Sequence, residues 1–399
     1  MKTAGIICEC NPLHAGHLYL VEQARRSGAD AVVCVMSGCF VQRGEAAVLD
    51  PYARAEMLIR SGADAVLELP FPFSASGAEF FGKAGVEILS RLGVDELWFG
   101  TECGDLERLS ALARAADDES FIASYIADAA GNLGTAKAYF NGLQNALGGD
   151  VACSPNDILA ISYLRAITAL NSNLRPVTVK RRGSGYAETD LHEGMFPSAT
   201  ALRLAWLTEG SAAILPFLPH GCGEILLREE QAGHAPASIN RVAPWLLGTF
   251  RLTPTENLEA IAGLGGGLAG RMKHAALQAT SAEDFYALCA TKKYTNARVR
   301  RGALMALAGV KEDALRQPIA YVRLLAADPR GCAFLSAVRK RSEITVVTRQ
   351  TDLPQTPAAK AQFSLEERET ALYSLCLPTA QPADALLRRT PLILSDEKK

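Results

Sequence analysis

Two histidines, His14 and His17, stand in the stretch ICECNPLHAGHLYLVEQA, separated by Ala15 and Gly16. They fall where an apolar run gives way to a helix-like one. A strand-to-helix turn of this composition suits an anionic oxygen. The helix start offers unpaired N–H groups and the positive end of a dipole. Gly16 lets a phosphate approach the backbone, and ring N–H groups can stabilise charge that builds in a transition state. The plainer reading of the same residues is a pair of surface histidines at a helix start. Other chemistries find less support. The ten cysteines show no paired zinc spacing, and His220 with Cys222 lacks a second pair of ligands. No metal centre is therefore expected, and that pair is read as structural. No Ser–His–Asp-like spacing is present either.

Such a turn needs a sheet beneath it. The first hundred residues alternate apolar runs with helix-like ones: TAGIICEC and LYLVEQARRSG, ADAVVCVMSG and DPYARAEMLIRSG, ADAVLELPFPF and SGAEFFGKAGVEILSRLG, then VDELWFGTE. Gly28, Gly62 and Gly93 are expected to end the three helices in the left-handed conformation. Asp30, Asp64 or Asp95 follows each, then a short strand. The echo RSGADAV at Arg26 and Arg60 is one helix-end solution used twice, not a solenoid repeat. Asp50-Pro51 marks a capped helix start, and Ser76 with Glu79 fits a capping box. Nearly all-apolar strands alternating with helices imply an α/β, Rossmann-like parallel sheet covered on both faces. Ligands bind such sheets at the carboxyl ends of the strands, where the histidine turn lies. A further strand is expected at 176–180, after the helix-like NDILAISYLRAITAL. From about 201 to 327 the reading is mainly helical. A strand at 344–348 and a helix capped at Ser364 suggest a small mixed α/β tail, with a frayed end. The expected division is a catalytic unit at 1–205, a helical unit at 206–330 and the tail at 331–399.

Bulk properties set the outer limits. With 399 residues, 49% hydrophobic and 21% charged, the chain has core enough for more than one soluble domain. A formal charge of −2 argues against bulk electrostatic capture of nucleic acid but leaves room for a local basic patch. No run of eighteen apolar residues exists, so no membrane partner is expected. MKTAGIICECNP reads as strand rather than signal peptide, and unpatterned cysteines fit reduced thiols in the cytoplasm.

The whole histidine turn resembles the HxGH signature of the nucleotidyltransferase superfamily, which includes the class I aminoacyl-tRNA synthetases. Those enzymes promote attack on the α-phosphate of ATP and release pyrophosphate. Phe196-Pro197-Ser198-Ala199-Thr200-Ala201-Leu202-Arg203 resembles the superfamily's second signature, (I)SxTxxR; taken alone it reads as an ordinary N-cap. Further stretches add to the likeness: Ser37-Gly38-Cys39-Phe40-Val41-Gln42-Arg43-Gly44-Glu45, Arg54-Ala55-Glu56-Met57, Glu68-Leu69-Pro70 and Phe99-Gly100-Thr101-Glu102. Pro155-Asn156-Asp157-Ile158-Leu159 and Lys180-Arg181-Arg182-Gly183-Ser184-Gly185-Tyr186 complete it. Together they resemble the tRNA(Met) cytidine acetate ligase family over about the first 205 residues. The likeness continues more weakly through Lys292-Lys293-Tyr294-Thr295-Asn296-Ala297-Arg298 and Tyr321-Val322-Arg323. Two departures lie in the loop after the second strand: Cys39 stands where Asn is expected, and Ala46 where Pro is.

The resemblance implies a two-step reaction. Acetate attacks ATP to give acetyl-adenylate and pyrophosphate. The acetyl group then passes to N4 of the wobble cytidine of elongator tRNA(Met), forming N4-acetylcytidine without acetyl-CoA. ATP and Mg2+ are the implied cofactors. The implied catalytic residues are His14, His17 and Arg203. ATP contacts carry over to Ile7, Cys8, Glu9, Cys10, Asn11, Pro12, Leu13, His14, Ala15, Gly16, His17, Leu18, Tyr19 and Leu20. Gly100, Asn156, Arg181, Ser198 and Thr200 join them, with Ser198 and Thr200 capping a helix and binding the β/γ-phosphates. Asn156 reads equally well as a simple N-cap.

RNA needs a positive track. One candidate is Lys180, Arg182 and Tyr186 in KRRGSGY, where the tyrosine could stack on a base; one of Lys180, Arg181 and Arg182 is expected only to solvate the surface. The other is Lys292, Lys293, Arg298, Arg300 and Arg301, with Lys293, Arg300 and Arg301 on nearby helix faces. Without the resemblance it reads as a solvated helix face. Two other functions remain open: a small-molecule adenylyltransferase, and a non-catalytic nucleotide-binding RNA partner. The long helical extension counts against the first, and the intact signature residues against the second.

Overall fold

The computed structural model describes residues 1–130, 135–147, 154–181 and 197–395. Arg182, Tyr186 and Phe196 lie outside them. The chain opens with β1 (Thr3–Cys8), α1 (Ala15–Arg26), β2 (Ala31–Ser37), the short strands β3 (Phe40–Val41) and β4 (Glu45–Ala46), α2 (Pro51–Arg60), β5 (Ala65–Leu69), α3 (Ala78–Arg91) and β6 (Glu96–Thr101). Next come α4 (Leu106–Ala115), α5 (Glu119–Ala130), α6 (Thr135–Leu147), α7 (Pro155–Ala169) and β7 (Arg175–Lys180). A helical run follows: α8 (Ala199–Glu209), α9 (Cys222–Gln231), α10 (Ala243–Leu252), α11 (Thr255–Glu259), α12 (Leu268–Gln278), α13 (Ala282–Cys289) and α14 (Asn296–Leu307). The described chain closes with β8 (Tyr321–Ala327), α15 (Pro329–Val338), β9 (Thr345–Val347), α16 (Pro357–Ser374) and β10 (Leu392–Ile393).

The main sheet has the order β10-β8-β5-β2-β1-β6-β7, with β9 beside β8. Its pairs are parallel except β5 with β8. β1, β2 and β5 are buried along their whole length, because helices cover both faces. Ile6 sits opposite Cys34 on one side and Trp98 on the other. From β1 the chain winds outward through β2 and β5, then returns to β6 and β7. The reversal falls between β1 and β6, and a crevice opens at such a point. One apolar core joins the sheet to α3, α4, α7 and α15. A second joins its other face to α1, α2, α8 and α9. A third fills the helical run and takes in Phe40, Phe71 and Tyr373.

Most landmarks of the sequence stand. Gly28, Gly62 and Gly93 have φ of 87°, 97° and 73° just past α1, α2 and α3. The Asp50 carboxylate accepts from the Ala53 N–H at 2.8 Å. Four expectations need correction. Ser76 does not cap α3; Gly77 is the N-cap, and Ser76 Oγ donates to the Phe73 carbonyl at 2.7 Å, closing the preceding 3-10 turn. The last long helix starts at Pro357 with Thr356 as its cap, so Ser364 lies in its interior. Lys293 precedes α14, whose cap is Thr295, so it does not share a helix with Arg300 and Arg301. Residues 321–327 form a strand rather than continuing the helical run. All seven are buried, and a fully buried strand lacks the alternation that marks a strand in sequence.

One buried cation ties the front edge of this sheet together. Arg54 on α2 is fully buried. It donates from Nε to the Leu49 carbonyl at 2.9 Å, from one terminal nitrogen to the Glu9 carbonyl at 2.7 Å, and from the other to the Gly38 carbonyl. It thus joins the chain leaving β1, the chain leaving β2 and the turn entering α2. Arg54→Ala is expected to lower the unfolding free energy by at least about 3 kcal/mol, since orphaning a buried polar group costs roughly 1–3 kcal/mol each. Urea denaturation checks this; a loss below about 1 kcal/mol would show the loops hold without it.

Candidate functional site

β1, β6 and β7 are neighbours running the same way, so their carboxyl ends meet at one edge. A cavity of about 230 Å3 lies there. Cys8, Glu9 and Cys10 reach it from β1, Gly100 from β6, and Lys180 and Arg181 from β7. His14, Gly16 and His17 line it from the start of α1, Pro197, Ser198 and Ala199 from the start of α8, and Gln42 and Arg43 from the β3–β4 turn. Neither α1 nor α8 carries an acidic residue in its first turn. Two helix dipoles therefore present their positive ends to one cavity without neutralisation. Phe81, Phe99, Leu159, Tyr163 and Val179 give the cavity an apolar part, the kind of lining that suits an aromatic base.

The histidines build the turn as well as line it. His14 is the N-cap of α1, and its Nδ1 accepts from the Gly16 N–H at 3.0 Å. The His14 N–H in turn donates to Nδ1 of His17 at 3.3 Å, a reciprocal capping arrangement made by two imidazoles. The ring centroids are 4.1 Å apart. A Cβ on residue 16 would meet His14 Cε1 at 2.8 Å, so the glycine makes room for the ring as well as for a ligand. Backbone N–H groups can only donate. Each Nδ1 must therefore carry a lone pair, and each neutral ring holds its proton on Nε2. Burial, then His17, Arg181 and Arg203, hold the His14 imidazole well below the usual histidine range. Burial drives His17 down to about 4, with the Cys8 thiol opposing and Arg181 adding. Both rings are thus neutral Nε2–H donors near neutral pH, suited to phosphate oxygens without a proton moving.

The expected site residues divide. Besides those named, Ile7, Tyr19, Leu20 and Asn156 line the cavity. Asn11, Pro12, Leu13, Ala15 and Leu18 do not; Asn11 turns its Oδ1 to the Val48 N–H at 2.8 Å, and Leu13 is core. Ser198 caps α8, accepting from the Ala201 N–H at 3.1 Å. Thr200 is in the helix and off the cavity wall, its hydroxyl accepting from Arg43 at 3.1 Å and Arg203 at 3.5 Å. Arg203 is also behind the wall. It donates to the Asn11 carbonyl at 2.7 Å and pairs with Glu45 at 3.5 Å. Asn156 is not an N-cap, since Ser154 caps α7.

Asn156 Nδ2 instead donates to Glu102 at 2.6 Å, a carboxylate that also accepts from Ser154 Oγ and lies 3.6 Å from Arg181. Glu102 belongs to the Phe99-Gly100-Thr101-Glu102 stretch, whose spacing alone assigns it no role. Its signal is its position, two residues past Gly100 at the end of β6. Cys39 and Ala46, the departures from the family pattern, are buried in the third core and do not line the cavity. Cys222 is buried with its Sγ 3.8 Å from Ser61 Oγ, while His220 is exposed.

The second basic segment lies apart. Lys292 is exposed, and Lys293 and Arg298 stand 5.4 and 5.3 Å from the Tyr294 ring. Arg300 lies 4.6 Å from the Tyr286 ring and 3.6 Å from Glu45, and Arg301 donates to the Gln42 carbonyl at 3.2 Å. These two arginines dock the β3–β4 turn on α14. Gly44 fits there at φ 73°, where a Cβ would stand 2.4 Å from the Arg301 nitrogen.

A family model described as HIGH Nucleotidyl Transferase matches residues 1–386. The tRNA(Met) cytidine acetate ligase of Acetivibrio thermocellus is 33% identical over 398 residues, covering 94% of this chain and 95% of that one. The protein of that name from Listeria monocytogenes is 33% identical, with 94% and 95% covered. Among solved structures, apo TmcAL of Thermotoga maritima superposes with a TM-score of 0.92 at 30% identity, covering 99% of this chain and 100% of that one. The same protein bound with alpha-thio ATP gives 0.89 with the same coverage.

The depressed histidines have a measurable consequence. His17 is held near 4 when folded, against 6.5 when unfolded. Its contribution to stability is complete above that unfolded value and is lost as pH falls toward 4, because the unfolded chain then binds a proton the folded ring refuses. NMR titration should show both rings neutral between about pH 5.5 and 8, the span in which an ordinary histidine titrates. An inflection near 6.5 in either ring would refute the buried-donor arrangement.

Proposed function

The chain belongs to the HIGH nucleotidyl transferase family and, within it, to the tRNA(Met) cytidine acetate ligases, and from that premise we propose that it couples acetate to RNA at the expense of ATP. Acetate oxygen attacks the α-phosphate, pyrophosphate leaves, and acetyl-adenylate stays in the cavity. The acetyl group then passes to N4 of the wobble cytidine of elongator tRNA(Met). The observation that carries this reading is the convergence of two helix N-termini without carboxylates, and two neutral imidazole donors, on one cavity with an apolar half. That cavity suits a nucleoside triphosphate, its base among Phe81, Phe99, Leu159 and Tyr163 and its phosphates at α1 and α8.

In this reading His14 and His17 donate from Nε2 to phosphate oxygens, strengthening as negative charge builds. Ser198 and the start of α8 receive the leaving phosphates, and Lys180 and Arg181 neutralise them. Arg203 acts on the turn through Asn11 rather than on the phosphates directly. Glu102 holds Asn156 and Arg181 toward the nucleotide. Among the described residues no group of three or more His, Cys, Asp and Glu side chains is placed to hold a metal ion. Mg2+ would accompany ATP as a counter-ion to its phosphates and would supply charge stabilisation there.

Lys292, Lys293 and Arg298 are proposed as RNA phosphate contacts, while Arg300 and Arg301 mainly fasten the β3–β4 turn. The three-unit division at 1–205, 206–330 and 331–399 is part of the proposal for function, although β8, β9 and β10 join the sheet of the first unit. No described helix is long and apolar enough to cross a membrane.

Labelled acetate, ATP and unmodified elongator tRNA(Met) test the reading directly. Label should appear in RNA at the wobble cytidine, and pyrophosphate exchange should require acetate. His17→Ala should lower acetate-dependent exchange by about 100-fold or more, the range for losing one donor to a developing charge, with RNA binding changed less than about twofold. Unaltered exchange would remove His17 from the phosphates. Charge reversal at Lys292 and Lys293 should weaken RNA binding and flatten its salt dependence by about one to two phosphate contacts, while exchange persists. An unchanged salt slope would make those lysines plain surface.

A further inference from the structure

The second step raises a demand the first does not. The N4 amine of cytosine has its lone pair delocalised into the ring, and attack on a carbonyl turns it into a cationic nitrogen that must lose a proton. A group positioned beside the cavity to accept that proton would speed the step. The histidines are unsuited: each Nδ1 is held by a backbone N–H and each Nε2 carries hydrogen. Arg43, Lys180 and Arg181 present donors rather than acceptors to the cavity. Burial pushes the Tyr163 hydroxyl up, so it is no base near neutral pH. Glu102 is spent on Asn156, Ser154 and Arg181.

Resting on the RNA-acetylation reading, we propose that Glu9 is the general base of acetyl transfer, a role beyond contact with ATP. Its carboxylate is the one acidic side chain among the described residues lining the cavity. Two bonds aim it. Arg54 fixes its carbonyl at 2.7 Å, and the Gln42 N–H holds Oε1 at 2.7 Å. Oε2 has no hydrogen bond or ion pair among the described residues. Glu9 also stands at the seam between the nucleotide cavity and the β3–β4 turn, which is docked on α14 beneath the basic segment.

The charged groups around it come from every neighbouring element. Arg43 and Arg203 draw its proton affinity down, Glu45 raises it, and Arg301 and Tyr163 lie within electrostatic reach. Burial outweighs them and leaves the carboxyl above the usual range, which makes it a better base than an exposed glutamate.

The step balances. The N4 lone pair forms a bond to the acetyl carbonyl carbon, the bond from that carbon to the phosphate oxygen breaks, and its electron pair leaves with AMP. Glu9 Oε2 takes the N4 proton and returns it to water.

The test separates the two half-reactions. Acetate-dependent pyrophosphate exchange reports adenylation, and single-turnover labelling of tRNA(Met) from synthetic acetyl-adenylate reports transfer. Glu9→Gln keeps an oxygen to accept from Gln42. Transfer should fall by about 100-fold or more, the usual worth of a positioned base, while exchange falls less than roughly tenfold. Wild-type transfer should decline as pH drops through a value above the ordinary carboxylate range, and that acid limb should vanish in Glu9→Gln. Glu9→Asp, its carboxylate drawn back by one methylene, should keep the limb at a lower rate. Equal losses in both half-reactions, or a limb that survives Glu9→Gln, would overturn the assignment. A limb abolished instead by Cys8→Ser would overturn it too, passing the role to the thiol that Cys10 and Cys34 hold in contact. If the wild-type protein exchanges pyrophosphate yet labels no RNA, the RNA-acetylation reading fails first and takes the base with it.

Discussion

A guanidinium sealed from water governs the working edge of this molecule. Arg54 cannot be hydrated where it lies, so its donors must find protein oxygens or cost several kcal/mol. The three carbonyls it finds belong to Glu9, Gly38 and Leu49. These are the points at which three different segments leave or approach the sheet. Loops at a sheet edge would ordinarily move independently; here they share one charge and shift together or not at all. The residue lining the cavity next to the histidine turn is therefore set from behind, by a guanidinium that does not itself line the cavity. Asn11 does similar work one step on, with Val48 at its side chain and Arg203 at its carbonyl. Preorganisation of this kind spares a charged ligand the reorganisation that water would require.

The sequence revealed what is local and concealed what is distant. Helix ends at Gly28, Gly62 and Gly93, the Asp50 cap and the histidine turn follow from neighbours within four residues, where periodicity and capping chemistry suffice. The parallel sheet followed from near-continuous apolar runs. β8 was missed because YVRLLAA has no alternation and stands after a long helical stretch. The partner of Arg203 is hidden in a different way: motif spacing places this residue one turn into α8, and only the Asn11 carbonyl, far away in the chain, shows which segment it holds. Glu102 had no assigned role for the same reason: its meaning lies in Ser154, Asn156 and Arg181, which come from two other elements. Motif spacing names the segments that meet at a site; which atoms face the ligand depends on contacts that spacing does not encode.

The β3–β4 turn is the joint between two kinds of surface. Phe40 packs into the third core against Phe71 and Tyr373, at 6.3 and 5.9 Å between ring centroids. Tyr373 also donates to the Ala47 carbonyl at 2.9 Å. The same turn offers Gln42 and Arg43 to the cavity and rests Gly44 against α14. A displacement of α14 would therefore be felt at the Glu9 carboxylate through the Gln42 N–H. This provides a short, contiguous route by which contact at the helical side could alter geometry at the chemical centre, through a rigid hairpin rather than through a flexible arm.

The placement of β8 carries a wider consequence. The helical run begins from α8, which packs on one face of the sheet, and returns to the chain as β8, which lies within that sheet between β5 and β10. It is an insertion with two covalent moorings on one body. A module hung by a single linker can swivel, and its reach spreads over a sphere; a module moored twice keeps little of that freedom. Its distance from the cavity is then built into the chain as a fixed ruler. A load applied at its far end would reach the sheet through two anchors at once, α8 on its face and β8 within it.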